Sequence, residues 1–104
     1  MHERRNLLLT RYPAVFYKLQ HRLNEQDLDI SALTLTIQPS DHEDAACTLG
    51  VRPCSESTDS FRAAFGELAF AVPAVEADDP GPRIADFSAQ LILRYKEALA
   101  AVPR

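Results

Sequence analysis

The sequence holds little of what catalysis or targeting usually leaves in a chain. Its three glycines, Gly50, Gly66 and Gly81, are too scattered to make a loop that cradles phosphates. There is no tryptophan, no G-x-S-x-G turn and no H-E-x-x-H pair. No apolar run approaches the roughly 18 residues that cross a bilayer. The start, MHERRNLLLT, follows its charges with three leucines, where a signal peptide needs an apolar stretch of about 7–15 residues. The composition therefore predicts a cytoplasmic protein with reduced thiols, no membrane partner, no cofactor and no metal.

Cysteine is scarce too, and the two present bracket the segment CTLGVRPC at Cys47 and Cys54. Along a strand that separation is about 23 Å, against about 5.5 Å between the Cα atoms of a disulfide. The odd spacing also puts the two side chains on opposite faces, and C-x6-C lacks the close ligand pairs of a zinc site. Cys47 reads as a small buried hydrophobe and Cys54 as an ordinary strand-end residue.

What the chain does have is an uneven charge. The net charge of −4 divides into +4 over residues 1–22, where Arg4, Arg5, Arg11, Lys18 and Arg22 face Glu3 alone, and −8 over the remainder. Such a split speaks to partners and association rates, not to fold.

Hydrophobic periodicity supplies the elements. Leu8, Tyr12, Val15, Phe16, Leu19 and Leu23 fall on one arc at 100° per residue, which predicts an amphipathic helix starting near Thr10 or Arg11. Pro13 suits its first turn, leaving residues 1–9 as an N-terminal arm or a separate turn. Leu33, Leu35 and Ile37 alternate with Thr34, Thr36 and Gln38, and Cys47, Leu49 and Val51 with Ala46, Thr48 and Gly50. The two runs predict an antiparallel hairpin with one apolar face, joined by the polar loop SDHEDA. Ser57 or Thr58 can cap a short helix carrying Phe61, Ala64 and Phe65. Beyond Gly66, a strand over 67–72 aligns Leu68, Phe70 and Val72, whereas a continued helix would put Phe70 on its polar face. AVEADDPGPR is a loop by its prolines, glycine and acids. From Ile84 on, Phe87, Leu91, Tyr95, Ala98, Leu99 and Val102 define a C-terminal amphipathic helix. Leu93 lies opposite that arc and Ile92 at its edge, which gives the helix apolar surface beyond one core face.

Candidate chemistry is thin. Asp41, His42, Glu43 and Asp44 are consecutive, so their side chains diverge in an extended loop and read as a solvated hairpin tip. Nothing in their spacing joins Glu67 to Glu97. The basic edge formed by Arg11, Lys18 and Arg22, with Arg4 and Arg5 upstream, is the most directed feature. It suits an acidic protein patch or phosphates, although a nucleic-acid-binding domain is usually basic over one broad face. Helix, three strands and a helix superficially resemble the order in a double-stranded-RNA-binding domain. PGPRIADF, however, stands where such domains carry a lysine-rich start to the last helix.

The reading is a single α+β domain over residues 1–104 with a hairpin or three-stranded sheet covered on one face by the two long helices. Its expected role is that of a non-enzymatic, homodimeric interaction module that binds and modulates another cytoplasmic protein as an inhibitor, antiactivator or chaperone. Arg4, Arg5, Arg11, Lys18, Arg22, Ile92 and Leu93 are its expected contact residues. A nucleic-acid-associated regulator using the basic helix is the alternative.

Overall fold

Pro13 has no N–H to continue a helix running into it, and the N-terminal helical stretch divides there. The structure, a computed structural model, describes residues 7–102, with side chains from Leu8 onward. It opens with α1 (Leu7–Arg11) and, after a break at Tyr12, α2 (Pro13–Glu25). Residues 7–9 of the expected arm are thus helical, and Leu8 is wholly buried; the rest of that stretch lies outside the described residues. Val15, Leu19 and Leu23 form the buried stripe of α2.

The end of α2 is closed by Asp27, which sits in the left-handed region at φ 59°. Its N–H donates to the Asn24 carbonyl at 3.0 Å, and the Leu28 N–H donates to the Leu23 carbonyl at 2.9 Å. This is a Schellman ending with aspartate in the position that glycine usually fills. Leu28 and Leu23 are both buried, so the turn also seals the core.

A single 3-10 turn at Ile30–Ala32 leads into β1 (Leu33–Gln38), which pairs antiparallel with β2 (Ala45–Pro53). A short α3 (Asp59–Phe65) follows, then β3 (Leu68–Pro73), a 3-10 turn at Ala74–Glu76 and α4 (Pro82–Ala100). The sheet order is β1-β2-β3, all antiparallel, and α4 packs on β3, so the α+β architecture read from the sequence is the observed one. The alternation also holds: Leu33, Leu35, Cys47, Leu49, Val51 and Val72 are buried on one face. Thr34, Thr36, Thr48 and Ala71 lie on the other face and remain half-exposed.

Two polar devices fix the helices. Thr58 Oγ1 accepts from the Phe61 N–H at 3.1 Å and caps α3. At the other end of α3, Gly66 takes φ 67° and ψ −131°, a conformation essentially restricted to glycine, and turns the chain into β3. The Arg94 guanidinium on α4 donates to the Phe65 carbonyl there, tying the two helices together.

Residues 74–83, a loop by sequence, contain the fold's one buried carboxylate among the described residues. Glu76 is 6% exposed, and it serves the start of α4, where Gly81 has no side chain to cap with. Glu76 Oε1 accepts from the N–H groups of Gly81 at 2.8 Å and Ile84 at 2.9 Å, and Oε2 accepts from Arg83 at 3.1 Å. Burial alone would raise this carboxyl. The three N–H donors and the nearby Arg83 charge outweigh that and hold it below the ordinary carboxylate range. A carboxylate at a helix N-terminus also meets the positive end of the helix dipole.

Candidate interaction surfaces

The expected contact residues separate in space. Arg4 and Arg5 lie outside the described residues. Lys18 and Arg22 stand one turn apart on α2, both half-exposed. Arg11 belongs to α1, before the break at Tyr12, and points to a different place. It lines a hollow of about 210 Å³ with Tyr12, Ile37, Gln38, Pro39, Ala46 and Cys47 at the end of the hairpin. The periodicity that joined Arg11 to Lys18 and Arg22 runs through residues that are not on one continuous helix. Among the described residues none of the three cations is in an ion pair; the pairs present are His21–Glu25 at 3.2 Å and Arg62–Asp59. The Arg22 Nε is buried without a hydrogen-bond partner.

Cys47 is a core residue, 3% exposed. Burial pushes its thiol up, and the Arg11 charge pulls back less strongly. A thiol held protonated is a poor nucleophile and a poor metal ligand. Cys54 follows β2, anchored by its N–H to the Ala32 carbonyl at 2.9 Å, with its sulfur 3.6 Å from the Ser57 hydroxyl. Both thiols are free. No group of three or more His, Cys, Asp or Glu comes together among the described residues to hold a metal.

On α4, Ile92 is half-buried and packs against the core, while Leu93 is 59% exposed on the side away from it. The concave apolar surface lies elsewhere on that helix. Leu99 sits on the arc that Ile84 and Leu91 bury, yet it is 48% exposed because the helix runs past its neighbours. Leu99, Val102, Tyr95 and Phe61 line a shallow groove of about 270 Å³ with Ala32 at its floor and Ser57 and Thr58 at its rim. Two contacts hold the groove's walls. The rings of Phe61 and Tyr95 meet edge to face at 5.6 Å, and the Tyr95 hydroxyl donates to the Asp29 carbonyl at 3.1 Å. Burial raises the Tyr95 hydroxyl more than that hydrogen bond lowers it, so it remains a donor through the neutral range.

The sequence offered one sign of this groove: Val102 continues the apolar arc a full turn beyond Ala98. What it could not show is that Leu99, on the same arc, is left 48% exposed while Val102 is only partly covered. Among the described residues no helix is long and apolar enough to cross a membrane. Compared with known proteins, the chain matches no family model, no curated protein and no solved structure.

Proposed function

We propose that this protein is a non-enzymatic, homodimeric interaction module that binds another cytoplasmic protein and modulates it. The observation that carries this reading is the groove at the end of α4, where Phe61, Tyr95, Leu99 and Val102 present a concave, mostly carbon surface with a hydroxyl rim. A partner's apolar side chain seated there would remove Leu99 from water, and apolar burial at the centre of a contact with polar groups at its margin is how protein interfaces gain affinity. Lys18 and Arg22, not engaged in ion pairs with described residues, would steer an acidic partner surface towards the domain.

The test is capture from lysate of the native host with wild-type protein and with Leu99→Glu, washed at low and then high salt. A discrete protein retained at high salt by the wild type and lost by the variant supports the reading. Retention that ignores the variant contradicts it. The cations of α2, in no ion pair with described residues, favour one second reading, association with nucleic acid. Its signature is nucleic acid in the low-salt eluate, lost steeply between about 50 and 200 mM salt and insensitive to Leu99→Glu.

A further inference from the structure

We infer that the outer edge of β3 is the seam of the homodimer, pairing antiparallel with β3 of a second copy about a two-fold axis at Phe70. This rests on the dimeric part of the reading above and adds where and how two copies meet.

The ladder shows which backbone groups lack a partner. The Cys54 N–H bonds the Ala32 carbonyl, which makes alternate pairs up the hairpin the bonded ones: Thr34 with Arg52, Thr36 with Gly50, Gln38 with Thr48. Pro53, with no N–H to give, falls as it must in a non-bonded pair. The groups of Cys47, Leu49 and Val51 therefore turn to β3, where they meet Val72, Phe70 and Leu68. That leaves the N–H and C=O of Ala69 and Ala71, with those of Glu67 beside them, directed out of the sheet. No other described segment hydrogen-bonds to Ala69 or Ala71.

Three further observations favour a second copy as the occupant. The strand is lightly guarded for an edge: its one proline, Pro73, comes at its last residue, from Leu68 to Val72 there is no charge and no bulged residue, and the side chains on the open face are alanines. The apolar layer beneath it is also unfinished. Leu68 and Phe70 are only partly buried, although Phe70 stacks on Phe87 of α4 at 4.6 Å. Charge then sets the register. Pairing about Phe70 places Ala69 opposite the partner copy's Ala71, Leu68 opposite its Val72 and Glu67 opposite its Pro73. Pro73 borders a hollow of about 300 Å³ that it shares with Ala71, Arg83, His42 and Asp44. Glu67, exposed and in no ion pair among the described residues, is brought towards Arg83 of the other copy, and the symmetry makes this contact twice.

Sedimentation velocity over a wide concentration range tests this with the full chain. The wild type should dimerise. Ala71→Pro removes one outward N–H without touching the bond network to β2 and should weaken the dimer by about tenfold or more while far-UV circular dichroism is unchanged. Glu67→Arg should weaken it similarly, and the swap Glu67→Arg with Arg83→Glu should restore it, which guards against a variant that merely folds poorly. Dimerisation unaffected by these changes overturns the seam and leaves the dimeric reading standing. A monomer at every concentration overturns both, while the groove, read separately through Leu99→Glu, is untouched.

Discussion

The two edges of the sheet are built differently. At β1 the edge is covered: α1 packs against the strand, and Leu33 and Leu35 are 2% and 1% exposed with their backbone included. At β3, Ala69 is exposed, Ala71 half-exposed, and the core-face residues Leu68 and Phe70 are closed over only in part. Both strands are short, uncharged and alternating. A sheet edge is therefore open or shut according to what the rest of the chain lays beside it, and here five residues of α1 make the difference.

The comparison can be broken first at the covered edge. Leu8 of α1 is wholly buried, and Leu8→Ala should cost about 3 kcal/mol, the usual loss for a large core side chain; urea unfolding with an unchanged m-value checks it. A loss below about 1 kcal/mol would mean that α1 does not seal that side. Next, proline distinguishes inward from outward N–H groups. Thr36→Pro removes a bond of the β1–β2 ladder and leaves its acceptor unpaired, which should destabilise by about 1–3 kcal/mol, whereas Ala71→Pro should cost the monomer well under half of that. Equal losses in thermal unfolding would show that the assigned ladder phase is wrong.

The far end of β3 adds a pH dependence. Because the folded carboxyl of Glu76 lies below its ordinary value of 4.5, the unfolded chain binds the proton more readily. The stability Glu76 supplies is complete above that value and is lost as pH falls through the lower folded one. Glu76→Gln should lower stability at neutral pH and flatten the acid limb of a urea midpoint profile. The smallest effect is expected at Asp27, whose left-handed backbone glycine adopts without penalty. Asp27→Gly should raise stability by about 0.5–1 kcal/mol, read as a small rise in Tm.

These features differ in how far the sequence disclosed them. Periods of 3.6 and 2 located every long element, because burial on one face is what they encode, and Phe70 rightly decided that residues beyond Gly66 form a strand. The division of the N-terminal helix at Tyr12 was foreshadowed by Pro13, but its outcome, Arg11 parting from Lys18 and Arg22, depends on a turn that no periodicity describes. Glu76 was hidden among loop acids because its partners are backbone N–H groups five to eight residues further along the chain. The edge at Ala69 was not legible, and of the groove at Leu99 only the continued apolar arc to Val102 was. Each is defined by the lack of a neighbour, and a single sequence records the residues of an element without recording what packs beside it.

The most direct test of the contrast between edges is amide hydrogen exchange of the full chain, followed residue by residue at low and high protein concentration. The account predicts that Leu35 is protected at both, and that Ala69 and Ala71 exchange fast when dilute and become protected as concentration rises. Fast exchange at Ala69 and Ala71 at every concentration, or at Leu35 as well, would contradict it.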